Sequence, residues 1–305
     1  SHNIVTKEFM MSISFTKMNS QGNNFIVIDN TNNIFDPTVT NIKSLCAQKS
    51  VDCDQLLLLN IKSPKNISCR IFNNDASEAL QCGNGLRAIM LYLKNSYGID
   101  KTTINISNIG YQANIQDENN IHVNMGAPSF LLDNIVSGDE KINIQLLAEK
   151  NYFEATVTKD NNQWSFSFVP VSMGNLHCIV FSKNSYDKRE AISSILNDIF
   201  NSSSNIGFIL NSSEFKKDPS VNLVLRVNER GAGWTKSCGS GAASAAAFMI
   251  KYVSAEQHNG YMAKVEQEGG ILSVKWNPTL EKNDSHKPLY LSGPSKLEYV
   301  GKWSA

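Results

Sequence analysis

One short phrase is written twice in this chain of 305 residues. Gln81-Cys82-Gly83-Asn84-Gly85 and, 156 positions later, Ser237-Cys238-Gly239-Ser240-Gly241 each set a cysteine before Gly-polar-Gly. Each then runs into an apolar stretch, Leu86 to Leu93 and Ala242 to Ile250. The spacing predicts helices over Leu86–Asn95 and Gly241–Tyr252, the first apolar on most faces and therefore buried. A cysteine just ahead of a helix sits where backbone N–H groups and the helix dipole favour negative charge. That placement lowers a thiol pKa from its usual value of about 8.5. Two such cysteines suggest a site built from facing thiols, which is what removing a proton from one side of a carbon and returning one to the other requires.

Short strands surround each copy in the same order, the pattern of an internal duplication. Before the seam at Gly126-Ala127-Pro128, strands are expected over Ser14–Met18 and Phe25–Asp29 around a turn at Asn19–Asn24, then over Gln55–Ile61 and Cys69–Asn73. A helix is expected over Thr38–Gln48. After the seam the pattern restarts, with strands from Phe153 onward and a helix over Ala191–Phe200. The expected fold is α+β, with two similar domains, each a curled, mostly antiparallel, barrel-like sheet around a central helix. Ligand sites favour the cleft between such domains. The expected division is 11–127 plus 290–305 for the domain carrying Cys82 and 128–289 for the domain carrying Cys238. Residues 1–10 read as a tag remnant or a disordered extension.

Lys plus Arg and Asp plus Glu both number 28, so bulk charge recommends neither nucleic acid nor an anionic membrane as a partner. No apolar run approaches the roughly 20 residues of a membrane helix, and no signal-peptide core opens the chain. The expected compartment is the cytoplasm, with the six cysteines (Cys46, Cys53, Cys69, Cys82, Cys178 and Cys238) as free thiols. No C-x-x-C pair or Cys/His cluster has zinc spacing, which disfavours a metal or thiol-redox protein. The ordinary fate of a free cysteine is a small buried hydrophobe, and that is the expectation for the four outside the repeated phrase.

Glu229-Arg230-Gly231-Ala232-Gly233 precedes Cys238 and follows a strand. Arg230 could hold a carboxylate with its planar fork, and Glu229 could hold an ammonium group or tune a thiol. Asn175 and His177 alternate on one strand face. Asn23, Gln55, Asn73, Asn84 and Asn205 are amides at loop positions, which taken singly are ordinary turn residues. A catalytically silent amino-acid binding module is a second class of reading, disfavoured by the presence of both thiols.

The motifs Phe15–Phe25 (FTKMNSQGNNF), Asp54–Leu57 (DQLL), Arg70–Glu78 (RIFNNDASE), Gln81–Ala88 (QCGNGLRA), Ser172–His177 (SMGNLH) and Glu229–Gly241 (ERGAGWTKSCGSG) occur in this order. Together they resemble the diaminopimelate epimerase family, over essentially all of Met11 to Gly301. The resemblance implies an enzyme that interconverts LL- and meso-diaminopimelate, without pyridoxal phosphate or metal, for lysine and peptidoglycan precursors. It implies a homodimer whose partner is otherwise only a small-molecule substrate. By position, it makes Cys82 and Cys238 the catalytic thiols. It makes Asn23, Gln55, Asn73, Asn175, Asn205 and Arg230 substrate-binding. Gly83 with Asn84 and Gly239 with Ser240 match the helix-start backbone that cradles the reacting carboxylate, and Glu229 and His177 match the thiols' polar partners. The chain departs from the family pattern at Asn19-Ser20 (usually His-Gly), Asn24 (Asp), Ala76 (Gly), Leu176 (Pro), Trp234 (small or acidic) and Asp52-Cys53 (Gly-Phe or Gly-Ala). A racemase of another amino acid, for example histidine, on the same fold is the alternative.

Overall fold

The computed structural model describes residues 12–49, 51–80, 83–253, 261–278 and 287–305. In chain order the first repeat contains β1 (Ser12–Ser20), β2 (Asn23–Asp29), α1 (Val39–Cys46), β3 (Gln55–Ser63), β4 (Asn66–Asn73), β5 (Glu78–Ala79), α2 (Gly83–Tyr97), β6 (Lys101–Ile106), β7 (Ile109–Asp117) and β8 (Asn120–Asn124). The seam and second repeat contain β9 (Ser129–Phe130), β10 (Ile142–Leu147), β11 (Tyr152–Lys159), β12 (Asn162–Ser172), β13 (Leu176–Val180), α3 (Arg189–Ile199), β14 (Ser204–Ile209), α4 (Ser212–Lys217), β15 (Leu223–Glu229), β16 (Gly233–Thr235), α5 (Gly239–Phe248), β17 (Met262–Gln267), β18 (Gly270–Lys275) and β19 (Tyr290–Gly293); β20 (Lys296–Ser304) ends the chain.

The two repeats pair their strands in the same sense, step for step. In the first, β2 lies parallel to β3 across α1, β3 is antiparallel to β4, and β4 is parallel to β6 across α2. In the second, β13 lies parallel to β14 across α3, β14 is antiparallel to β15, and β15 is parallel to β17 across α5. The short β5 and β16 each fold back on the strand before the buried helix. An antiparallel pairing of β8 with β19 joins the repeats into one continuous ladder of mixed strands, and β20 returns to pair with β1. Each repeat curls around its helix without closing, because β20 and β10 remain as edges.

The burial pattern explains the curl. One core cluster contains the inward faces of both repeats together with α2 and α5. Every residue of α5 from Gly239 to Phe248 is buried, and most are Ala, Gly or Ser. Small side chains let strands wrap close on all sides, and Ala preserves helix propensity inside the wrap. Two smaller clusters lie on the outer faces. One is under α1 through Ile42 and Leu45, the other under α3 through Ile192 and Leu196.

Three local expectations need correction. The first turn is not Asn19–Asn24 but the two residues Gln21 and Gly22, both with positive φ, so Asn23 already lies on β2 opposite Ser20. Such a two-residue turn matches the right-handed twist of the flanking strands. Both buried helices begin two or three residues earlier than their apolar runs, at Gly83 and Gly239, because glycine weakens an apolar signal without preventing a helix start. Between the seam and Phe153 the sequence gives little periodicity, yet β9 and β10 form there, supported by pairing with β12 and β11.

The Gln21–Gly22 turn docks on the second repeat. Ser237 Oγ donates to Gln21 Oε1 at 3.0 Å, and Gln21 Nε2 donates to Ile271 O at 2.8 Å. Gly269 N–H donates to Lys236 O at 2.8 Å. A Cβ on Gly269 would fall 1.9 Å from the carbonyl oxygen of Gln21, and backbone cannot yield as a side chain can. Gly269→Ala is therefore expected to destabilise the protein by about 1–3 kcal/mol, read as a lowered denaturant midpoint.

Candidate active site

The N-termini of α2 and α5 meet head to head. A Cβ on Gly239 would lie 3.3 Å from Gly83 Cα and 3.5 Å from Asn84 N, so only glycine allows the two backbones this close without displacement. Asn84 Nδ2 crosses the junction to donate to Ser237 O at 3.0 Å, and Ser20 Oγ donates to Asn84 O at 3.0 Å. Positive dipole ends from both helices thus face one small region, a natural place for a carboxylate.

Cys238 is the N-cap of α5, and its sulfur accepts from Gly241 N–H at 3.4 Å. It is 5% exposed. Gln267 grips its backbone from both sides: Cys238 N–H donates to Gln267 Oε1 at 3.0 Å, and Gln267 Nε2 donates to Cys238 O at 3.2 Å. The thiol also hydrogen-bonds the Glu229 carboxyl, which accepts in addition from Thr235 Oγ1. Burial raises the Glu229 pKa above the usual carboxylate value against these two bonds, and the charge of Asp54 in the first repeat raises it further. A carboxyl moved upward stands closer in proton affinity to the thiol beside it. Cys82 and Gln81 lie outside the described residues.

The amides read as loop residues lie instead on β2, β3, β4 and β14 and at the start of α2, where ladder pairing and the helix start hold them, and they fall into two related groups. Phe25 on β2 is in register with Gln55 on β3, and Gln55 with Asn73 on β4. In the second repeat His177 is in register with Asn205, and the Ile206–Asn228 pair places Asn205 against Glu229 one step on. Asn23 therefore corresponds to Asn175, Gln55 to Asn205, Asn73 to Glu229, and Asn84 to Ser240. Gln55 Nε2 donates to Asn73 Oδ1 at 2.9 Å, and Asn73 Nδ2 donates to Ser77 Oγ at 3.0 Å. Asn175 Nδ2 donates to Ser240 Oγ at 3.1 Å, and His177 Nε2 pairs with the same oxygen at 2.8 Å. Asn205 is tied to backbone at both ends of its amide, accepting from Arg230 N–H at 2.9 Å and donating to Leu176 O at 3.1 Å. It therefore fixes the position of Arg230, whose side chain is exposed.

His177 is completely buried, and desolvation pushes its pKa down to about 3. Its contact with Cys238 runs through Ser240, whose Oγ is 3.8 Å from the sulfur. Buried polar atoms are normally paired. Among the buried atoms with no partner are Gln55 Oε1, Asn84 Oδ1, Asn175 Oδ1 and His177 Nδ1 of the candidate site, alongside others away from it such as Asn60 Oδ1 and Ser193 Oγ. Three of the four site atoms are amide oxygens, the complement of a ligand's N–H groups.

Two of the departures are tied into their surroundings. Asn24 Oδ1 accepts from Lys17 Nζ at 2.7 Å and from Asn19 Nδ2 at 2.9 Å, while its N–H donates to Asp54 Oδ2 at 2.7 Å. Trp234 turns toward α3: Nε1 donates to Glu190 Oε1 at 3.0 Å, and the ring packs on Tyr186 and Phe208. Sequence reasoning missed Gln267, Thr235 and Ser237. Gln267 carried a signal, being a polar residue in phase with the buried Ala263 and Val265 on an alternating strand. Among the described residues no group of three or more His, Cys, Asp or Glu could hold a metal ion, and no helix is long and apolar enough to cross a membrane.

A neutral, buried His177 makes stability depend on pH. Its depressed pKa contributes stability above the unfolded value of about 6.5, lost as pH falls from there toward about 3. The stability gap between wild type and His177→Asn should therefore shift toward the variant across that window, measured by denaturant unfolding at a series of pH values.

The diaminopimelate epimerase family model matches residues 15–131. Diaminopimelate epimerase from Coxiella burnetii is 31% identical, over 96% of this chain and 99% of its own length. The Legionella pneumophila protein of the same name is 32% identical, over 95% and 99%. Among solved structures, a phenazine biosynthesis protein of the PhzF family from Bacillus anthracis superposes with TM-score 0.67 at 16% identity, covering 97% of this chain and all of that one. A hydroxyproline epimerase from Agrobacterium vitis does so with TM-score 0.64 at 11% identity, covering 97% and 93%. These two establish the fold alone. The identity, sustained over nearly the full length of both sequence relatives, shows that the chain belongs to the diaminopimelate epimerase family of isomerases.

Proposed function

We propose that this protein interconverts LL-2,6-diaminopimelate and meso-diaminopimelate, with Cys82 and Cys238 as a matched acid and base. The observation that carries the reading is the meeting of two helix N-termini at Gly83 and Gly239, with Cys238 capping one of them and bonded to Glu229.

The α-hydrogen of an amino acid is very weakly acidic, and its removal pushes charge into the α-carboxylate. Two converging helix N-termini stabilise that charge as an oxyanion hole does. One sulfur, as thiolate, takes the proton from one face; the other, as thiol, gives its proton to the opposite face, and the centre inverts. The reverse reaction exchanges their roles. Glu229 holds or receives the Cys238 proton between turnovers. His177, being neutral, acts on this pair through Ser240 and adds no charge. The unpaired amide oxygens of Gln55, Asn84 and Asn175 suit the substrate's ammonium groups, and Arg230 suits its distal carboxylate. Closure of the repeats on the substrate would exclude water from the proton transfers.

The name shared by relatives at 31% and 32% identity supports diaminopimelate over another amino acid as substrate. In this reading the enzyme needs no pyridoxal phosphate or metal, works in the cytoplasm as a homodimer, and serves lysine and peptidoglycan precursor synthesis.

The test is chromatographic separation of the isomers after incubation of LL-diaminopimelate with the reduced protein. Wild type should form the meso isomer until the two equilibrate. Glu229→Gln should retain binding and lose about 10²–10⁴-fold in kcat. Failure of the wild type to form any meso isomer would overturn the assignment.

A further inference from the structure

A second pair of cysteines lies apart from the repeated phrase. Cys46 is the last residue of α1, and Cys53 lies in the loop that enters β3. Their sulfurs are 3.1 Å apart, inside ordinary van der Waals contact and about 1 Å from the length of a disulfide. Cys46 is partly buried at the rim of the outer cluster under α1, and Cys53 is buried within it. Hydrogen bonding to Cys53 lowers the Cys46 pKa, against the burial that would raise it. The same pairing, and then burial, raise that of Cys53. Cys46 is the sulfur an oxidant reaches first and Cys53 its buried neighbour, the arrangement of an attacking and a resolving thiol.

We propose that Cys46 and Cys53 form a reversible disulfide on exposure to hydroperoxides, a modification site separate from Cys82 and Cys238. The Cys46 thiolate attacks one peroxide oxygen and breaks the O–O bond, leaving a sulfenic acid and, after protonation, one water. The Cys53 sulfur then attacks the Cys46 sulfur and forms the S–S bond. The sulfenic oxygen leaves with the Cys53 proton as a second water. The two thiols lose two protons and two electrons in all, and hydrogen peroxide is reduced to two molecules of water. A small-molecule thiol reverses the reaction by exchange.

The bond would act on a loaded segment of chain. Asn74 Nδ2 donates to Cys53 O at 3.2 Å. Asp54 follows at once, donating its N–H to Asn24 O at 2.9 Å and accepting from Asn74 N–H at 3.1 Å through its carbonyl. A crosslink to α1 therefore tethers the strand ends that carry Asn23, Gln55 and Asn73.

Peptide mapping tests this directly, because Lys49 lies between the two cysteines. The full-length protein is treated with limiting hydrogen peroxide, its free thiols are alkylated, and it is digested with trypsin without reduction. The expected product is peptide 44–49 joined to peptide 50–62, separated again by reductant. Cys46→Ser should give no linked product and keep wild-type activity when reduced. Recovery of both peptides as alkylated thiols from peroxide-treated wild type, or a bond from either cysteine to another partner, would overturn the proposal.

Discussion

Two helices that point their N-termini at one spot repel each other, since each end carries about half a positive charge. This protein holds that arrangement by packing. Gly83 and Gly239 remove the Cβ atoms that would keep the backbones apart, and the common core around α2 and α5 holds both helices in place. The unfavourable electrostatics is the useful part. An anion placed between the helix ends gains from both dipoles. Gln267, Ser237, Gln21 and Asn84 tie the junction from four directions, so the spacing is held by hydrogen bonds as well as by the core.

The duplication supplies near-symmetry, and the chemistry depends on where the symmetry breaks. Asn73 and Glu229 occupy equivalent register positions, yet one is an amide and the other a carboxyl bonded to a thiol. Phe25 and His177 are likewise equivalent, and Asn84 and Ser240. The second repeat sets a carboxyl and an imidazole, Glu229 and His177, where the first has Asn73 and Phe25. A symmetric site would give both thiols the same proton affinity. On the proposed mechanism the asymmetric one can start with one thiol charged and the other neutral, as inversion requires.

Much of this was legible in the residues. The repeated Cys-Gly-polar-Gly phrase gave the duplication and the order of elements, because an apolar run behind glycines is a strong local signal. The helix starts were misplaced by two or three residues, since the glycines that permit the close approach hide the helix that contains them. The first turn was read too wide because Asn19, Asn23 and Asn24 look like loop residues, and only pairing with Ser20 puts Asn23 on a strand. The partners of Cys238 divide in the same way. Glu229 stood out by its neighbours, whereas Gln267 lies 29 residues beyond Cys238 and meets it only through the parallel pairing of β15 with β17 that brings β17 alongside. No reading of local sequence could show that Trp234 would face α3, since Glu190, Tyr186 and Phe208 come from three separate elements.

The central claim is that two opposed thiols, one per helix N-terminus, act on opposite faces of one carbon. Early turnover in deuterium oxide tests it most directly. LL-diaminopimelate is incubated with the reduced enzyme, and both isomers are recovered before equilibrium and analysed by mass spectrometry. Two opposed thiols predict deuterium in the newly formed meso isomer while the remaining LL substrate stays protiated. Deuterium appearing equally in both isomers from the first turnovers would mean that a single group serves both faces, and would contradict the account.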